Sequence, residues 1–325
     1  MRNIVATQMH YRPPTPVSRL LQSVRTGARH LSKFPYLLLI FTTLFWAGNT
    51  LVGRAVQGQI PPIGLAFWRW LGGFLLILLP AWPHLQRDWS EVVRSWKIIL
   101  LLSALGITVF NTLLYTGLQF TTAINALLMQ STMPLMIVVM SYLFFQETLS
   151  VPQILGVLIS FIGALTIIAR GSWQVLTTFS LNQGDLIIFL AMVSYAGYST
   201  LLRLRPALHP LSFLAVTFGC GTLILLPFYL WEHLTGKVMN WTPVTFISLA
   251  YVALFPSIIA YLCYNRGIEL VGANRASLFL HLIPVFGSIM AVLFLKETPQ
   301  WFQAVGFLLI LLGIFLVIRP QRSSL

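Results

Sequence analysis

The second half of this chain repeats the first. Shifted by 150 residues, positions 111–170 lie on 261–320 without a gap. Gly117 meets Gly267, Ala123 meets Ala273, Ala126 meets Ala276, Leu128 meets Leu278 and Pro134 meets Pro284. Further on, Met140 meets Met290, Leu143-Phe144 meets Leu293-Phe294, Glu147-Thr148 meets Glu297-Thr298, and Gln153, Gly156 and Gly163 meet Gln303, Gly306 and Gly313. Two apolar stretches match Leu by chance, but they do not align Pro, Glu-Thr, Gln and two Gly in one register. The repeat reaches the start of each half. Trp46-Ala47-Gly48-Asn49 fits Tyr195-Ala196-Gly197-Tyr198 at a shift of 149, which brings Arg54 onto Arg203, and Pro62 pairs with Pro210 at a shift of 148. Internal repeats rank above any single motif, because they set the architecture within which motifs are read.

Both halves are apolar. The chain is 57% apolar and 8% charged, with a mean hydropathy of +0.84, whereas soluble domains carry roughly 25% charged residues. About 20 apolar residues are needed for a helix to cross the hydrocarbon. Spans are therefore predicted near 35–55, 61–82, 96–117, 122–145, 151–169, 184–203, 211–231, 243–265, 273–295 and 301–318. Trp82, Trp89, Trp96, Trp231, Trp241 and Trp301 sit at span ends, as an interfacial belt does.

Net charge is +13, and its placement argues for topology and anionic lipid at the cytoplasmic face rather than for nucleic acid. With the N-terminus in the cytoplasm, inside segments hold Arg87, Arg94, Lys97, Arg203, Arg205, Arg266, Arg319, Arg322 and the six cations of the tail. Outside segments hold Arg54, Arg170, Lys237 and Lys296. Fourteen against four places both ends in the cytoplasm. Five spans per half is an odd number, so the halves run in opposite senses. The expected fold is an all-α membrane protein of ten transmembrane helices, built as two inverted-topology five-helix repeats over 34–170 and 183–320. Residues 1–33 carry Arg2, Arg12, Arg19, Arg25, Arg29 and Lys33 with no acid. They read as a disordered basic cytoplasmic tail, with an organelle presequence as the alternative. The two cysteines, Cys220 and Cys263, fall inside apolar segments and imply no disulfide framework.

Polar residues inside spans are expensive and need partners or water. Thr108, Asn111 and Tyr115 share a stripe at i, i+3 and i+7, and their counterparts are Ile258, Tyr261 and Asn265. The fourth span offers Thr122, Asn125, Met129, Thr132 and Met136, and the ninth offers Asn274, Ser277, His281 and Ser288. The first contributes Thr42, Trp46 and Asn49, and the sixth Tyr195 and Tyr198. Together these predict a polar, aromatic-walled cavity between the halves, against interhelical hydrogen bonding, which uses the same residue types. Arg69, between Trp68 and Trp70, is a guanidinium set deep in a span. It suits a carboxylate or phosphate held bidentately, or a structural ion pair or stacking on Trp. His281 is the only histidine deep in a span, either a proton carrier or a neutral ring satisfied by a hydroxyl. Glu147, Glu297 and Asp185 lie near helix starts, where a carboxylate favours the dipole. Gly156/Gly163 and Gly306/Gly313, seven apart, each line one helix face and suit close helix packing. The candidate solute-binding set is Trp46, Asn49, Trp68, Arg69, Asn111, Tyr115, Asn125, Tyr195, Tyr198, Tyr261, Asn274 and His281.

The order of tokens resembles the EamA-type family of the drug/metabolite transporter superfamily. These are Trp46-Ala-x-Asn49, Phe67-Trp68-Arg69, the Ala-x-x-Ala then Pro of the fourth and ninth spans, Glu-Thr at 147 and 297 with Gly at +9 and +16, and Gly184-Asp185. The resemblance covers about 34–320 and implies ten helices, a central cavity, and export or exchange of small polar metabolites such as amino acids by alternating access. The location it implies is the cell inner membrane. No P-loop, HExxH, CxxC spacing or nucleophile elbow is present, so ATP-driven transport by this chain, a metal and a cofactor are not expected. The alternatives are an intramembrane transferase using His281 and Arg69, and a non-transporting scaffold.

Overall fold

The computed structural model describes residues 33–56, 58–121, 123–177, 182–295 and 298–318. Residues 1–32 of the expected tail, Thr122, Lys296, Glu297, Arg319 and Arg322 lie outside these. The described residues form helices α1 (Pro35–Ala55), α2 (Pro62–Arg94), α3 (Trp96–Ser103), α4 (Phe110–Gly117), α5 (Ala123–Ser131), α6 (Met133–Phe145), α7 (Val151–Ile168) and α8 (Trp173–Thr177). The second half supplies α9 (Gln183–Leu201), α10 (Pro210–Leu234), α11 (Pro243–Ala253), α12 (Ala260–Val271), α13 (Ala273–Ser277), α14 (Leu282–Leu295) and α15 (Trp301–Ile318). A π-helical segment joins α3 to α4 at Ala104–Val109, and another joins α11 to α12 at Leu254–Ile259. Nine helices among the described residues are long and apolar enough to cross a membrane. Within the predicted 273–295 span a 3-10 turn at Leu278–His281 lies between α13 and α14. All six tryptophans assigned to an interfacial belt are exposed.

The repeat is written into these irregularities. The two π-segments begin at Ala104 and Leu254, 150 residues apart. The α5–α6 break at Thr132 and the 3-10 turn before α14 are matched by Pro134 and Pro284. Each proline lacks the N–H that would reach the carbonyl four residues back, so the helix tightens or breaks there. The repeated Gln153 and Gln303 also have one job. Ser150 N–H donates to Gln153 Oε1 at 2.9 Å and Gln300 N–H donates to Gln303 Oε1 at 2.9 Å, the same helix-start cap twice.

Helix α7 packs against α15, its counterpart in the second half. A Cβ on Gly156 would lie 2.6 Å from the Gly313 carbonyl oxygen, and one on Gly163 would lie 2.7 Å from that of Gly306. Only glycine permits this approach. Gly156 facing Gly313 and Gly163 facing Gly306 means that the two equivalent helices run antiparallel. The contact is also self-complementary, as across a two-fold axis. Likewise Gly117 abuts Ile188 on α9, and its counterpart Gly267 abuts Leu39 on α1.

Helix α2 runs well past residue 82, the predicted end, and keeps Pro80 and Pro83 inside it. At 33 residues and ~1.5 Å rise per residue, it exceeds the hydrocarbon thickness. Its polar extension caps its counterpart. Asp88 Oδ2 accepts from His209 N–H at 2.9 Å, at the start of α10. At the other end α10 also runs beyond its predicted limit, and Glu232 Oε1 and Oε2 accept from Ile63 N–H (3.3 Å) and Gly64 N–H (2.7 Å) at the start of α2. Each helix thus supplies a carboxylate to the other's N-terminus, where unpaired amides and the helix dipole favour negative charge. Glu232 is buried, so Glu232→Ala should strand two amide donors at a cost of about 1–3 kcal/mol. A lowered unfolding temperature in detergent checks this, with Glu232→Gln retaining part of the stability. Unchanged melting of Glu232→Ala would refute the cap.

Candidate functional site

The centre of the helix bundle is organised around Arg69 of α2, which is 2% exposed. Its Nη1 donates to Asn49 Oδ1 of α1 (3.2 Å), to Asn111 Oδ1 of α4 (3.1 Å) and to the Tyr115 hydroxyl (2.9 Å). Its Nε donates to Ser257 Oγ at 2.7 Å and its Nη2 to the Pro256 carbonyl at 3.3 Å, both in the second π-segment. The Tyr115 hydroxyl in turn donates to Asn49 Oδ1 at 3.2 Å, and Asn111 Nδ2 donates to the Ile107 carbonyl at 2.8 Å. The guanidinium carbon lies 4.8 Å from the Trp70 ring centre. Among the described residues no carboxylate pairs with Arg69. Five neutral oxygens solvate the charge without cancelling it. A buried cation held only by dipoles is costly and leaves the centre with an unmatched positive charge.

Aromatic rings close round this centre. Trp46 sets its ring edge-on to Tyr195 (5.5 Å) and Tyr261 (5.9 Å) and tilted on Tyr264 (5.0 Å), while its Nε1 donates to the Pro256 carbonyl at 3.0 Å. Tyr195 also packs on Phe110 and Tyr198. Tyr195, Tyr198, Tyr261 and Tyr264 are all fully buried, so in this conformation the centre is closed and filled by side chains rather than open as a hollow.

The π-segments explain how two carbonyls reach this centre. A wide turn breaks the regular ladder, and such bulges recur at functional sites. Gly106 and Pro256 are counterparts, and each turns its carbonyl to the opposite half. The Tyr261 hydroxyl donates to the Gly106 carbonyl at 2.6 Å, while Trp46 and Arg69 donate to the Pro256 carbonyl. A second pseudo-symmetric bond is the Tyr198 hydroxyl to Asn265 Oδ1 at 2.9 Å, the counterpart of Tyr115 to Asn49 with the two residue types exchanged. The cation has no such twin. At the shift of 148 Arg69 falls on Thr217, whose hydroxyl donates back to its own helix at Phe213.

Of the candidate residues, Trp46, Asn49, Arg69, Asn111, Tyr115, Tyr195, Tyr198 and Tyr261 are brought together here. The other four are elsewhere. Trp68 turns away from Arg69, donating to the Tyr229 hydroxyl at 3.2 Å and packing edge-on to Trp241. Asn125 Nδ2 donates to Asp185 Oδ2 at 3.1 Å, inside the Asn182–Asp185 capping box of α9. Asn274, in α13, is buried with neither side-chain atom hydrogen-bonded. His281 lies between Ser160 Oγ (2.5 Å from Nδ1) and the Ser131 carbonyl (3.1 Å from Nε2). A carbonyl only accepts, so Nε2 carries a proton and donates to it. Both ring nitrogens are partnered, and the acceptor Ser131 is the repeat counterpart of His281. Ser288 lies in an apolar groove with Val285, Ile289 and Phe307. Glu147 pairs with Arg203 at 3.4 Å on the surface.

Sequence reasoning missed Ser257, Pro256 and Tyr264, whereas the expected stacking of Arg69 on a neighbouring tryptophan is met at Trp70. A proline in the middle of an apolar span was the available signal for Pro256, since it breaks the helical ladder and frees a carbonyl. Ser257 faces Ile107 in the repeat alignment and so fell in no shared polar stripe.

Residues 33–169 and 182–319 each match the model described as the EamA-like transporter family. The uncharacterised transporter YyaM of Bacillus subtilis is 29% identical over 283 residues, covering 86% of this chain and 92% of its own length. An uncharacterised transporter of Archaeoglobus fulgidus is 26% identical over 294 residues, covering 89% and 98%. A chloroplastic WAT1-related protein of Arabidopsis thaliana is 25% identical over 292 residues, covering 88% and 70%. A solved crystal structure shares the fold with a TM-score of 0.72 at 18% identity, covering 87% of this chain and 96% of that one. With both halves matched, the chain belongs to the EamA-like transporter family, and it is a multi-pass membrane protein.

Proposed function

We propose that this chain is a secondary transporter that moves a small polar metabolite bearing a carboxylate, such as an amino acid, by alternating access between two inverted five-helix repeats. The broken 273–295 segment counts as the tenth span. The antiparallel run of α7 against its counterpart α15 supports inversion, because a repeat of unchanged orientation would set them parallel. The bias of Lys and Arg supports cytoplasmic ends in the cell inner membrane, with anionic lipid at that face. One observation carries the substrate reading: the buried Arg69 has neutral partners only, at the seam where α1, α2 and α4 meet the second π-segment. A carboxylate there gains a bidentate charge-assisted pair, and the tyrosine and tryptophan rings pack the rest of the solute. Export or exchange is the expected direction. A mid-membrane acid pairing with Arg69 is missing among the described residues, which favours exchange over obligatory proton coupling.

The direct test is flux into and out of proteoliposomes with an amino-acid and carboxylate panel, with and without a pH gradient. The expected result is counterflow of a carboxylate-bearing solute that is indifferent to the gradient. Verified folded protein that moves no member of the panel would overturn the reading.

A further inference from the structure

We infer that the side edge of the Arg69 guanidinium, its Nε and Nη2, is a carboxylate subsite that Ser257 Oγ and the Pro256 carbonyl fill as stand-ins in the closed conformation. This rests on the transporter reading and adds what the carboxylate displaces.

The geometry divides the guanidinium by repeat. Nη1 binds only first-half groups, Asn49, Asn111 and Tyr115, whereas Nε and Nη2 bind only second-half groups, Ser257 and Pro256. Nε–H and the adjacent Nη2–H form the parallel fork that a carboxylate engages with both oxygens. At present that fork holds one hydroxyl oxygen and one amide oxygen, at 2.7 and 3.3 Å. Both are neutral acceptors, and a carboxylate in their place adds ion–ion attraction and matched bidentate geometry.

Displacing the two stand-ins costs little, because each keeps another hydrogen bond. The Ser257 hydroxyl already donates to the Val252 carbonyl at 2.7 Å, and the Pro256 carbonyl already accepts from Trp46 Nε1 at 3.0 Å. Neither group is stranded when Arg69 turns its fork to a solute. Nη1 meanwhile keeps the guanidinium aimed, through three acceptors on α1 and α4. Carboxylate binding therefore cuts a hydrogen-bonded tie between the first half and the π-segment Leu254–Ile259 of the second. A ligand shifts a two-state equilibrium only by binding one state better, and this exchange of partners supplies that difference. Ser257 acts as a competitor for the solute and as a latch on the closed state.

The test uses the full-length protein in nanodiscs, with phenylacetate as a bare carboxylate on an aromatic body and phenylacetamide as its uncharged twin. Binding is read by thermal shift, and the latch by hydrogen–deuterium exchange over residues 254–260. Phenylacetate is expected to stabilise the protein and to raise exchange in that segment, while phenylacetamide does neither. Ser257→Ala removes the competitor. It should raise exchange there without ligand and tighten phenylacetate binding about fivefold, the worth of one modest hydrogen bond. Ser257→Ala that leaves exchange unchanged, or that leaves phenylacetate binding equal or weaker, overturns the inference, as does a wild type that does not distinguish the acid from the amide or responds to neither. If such a chain still moves neutral solutes in proteoliposomes, the latch is wrong and the transporter reading stands. If the Ser257 effect is present and no solute moves, the latch holds and the transporter reading falls.

Discussion

Arg69→Gln is expected to lower flux of carboxylate-bearing solutes by roughly two orders of magnitude, with a smaller loss for an uncharged amide analogue. A bidentate charge-assisted pair is worth about 3 kcal/mol, which converts to a factor of roughly 150. Glutamine presents one NH2 group where arginine presents five N–H donors, so it cannot bridge α1, α4 and the second π-segment together. Arg69→Lys separates charge from geometry. It keeps the cation and loses the fork, and it should resemble Gln more than wild type, because a point charge does not reproduce planar recognition. Both variants remove donors from buried oxygens at Asn49, Asn111, Ser257 and Pro256, so each must be shown to be folded before flux is read. Equal loss for the acid and its amide in folded protein would remove Arg69 from solute recognition.

The second large effect is on assembly. Gly163→Val is expected to abolish accumulation of folded protein, because even the first side-chain carbon meets backbone that cannot yield. A Cβ at Gly163 would lie 2.7 Å from the Gly306 carbonyl oxygen and 2.9 Å from the Ile310 nitrogen. Relief requires α7 and α15 to separate along their whole crossing, which forfeits dispersion contacts on both sides. Gly163→Ala should already cost about 1–3 kcal/mol as overpacking. Gly287, in α14, is the control, since a Cβ there meets nothing within 4 Å. Gly287→Ala should be neutral or slightly stabilising through helix propensity, by up to about 1 kcal/mol. Expression and detergent-resistant monodispersity distinguish the three. A well-behaved Gly163→Val protein would show that the α7–α15 contact does not hold the halves together.

The exposed end of the α2–α10 pair shows how far chemistry follows from placement. His209 stacks face to face on His84 at 3.6 Å, its Nδ1 accepts from Leu211 N–H, and its own N–H donates to Asp88. Burial, then the neighbouring His84, lowers the His209 pKa below the ordinary imidazole value. A depressed histidine pKa contributes stability that is present at neutral pH and is lost as pH falls through it. The cap at the start of α10 therefore weakens on acidification, in step with the loss of the Nδ1 acceptor.

Much of the architecture was legible in the residues, for reasons that packing could not alter. Span lengths follow from apolar runs, so α1 and α15 match their predicted limits. The repeated Pro134/Pro284, Gln153/Gln303 and Gly156/Gly306 follow from backbone rules that act locally: a missing donor, a cap, a close approach. Arg69 was legible as a charge where charges are costly. The contrary cases share one cause. Asn125 and His281 have the composition of solute-binding residues, yet they spend their hydrogen bonds on Asp185, Ser160 and Ser131. Glu232 lies one residue past the predicted 211–231 span, and its burial depends on α10 continuing beyond that limit to reach the amides of α2. The sequence by itself determined that the chain is a duplicated membrane bundle, because hydropathy and repeat register belong to the residues alone. Only the tertiary structure decided which polar groups face Arg69, because the rotation of each helix about its axis is set by the helices packed against it.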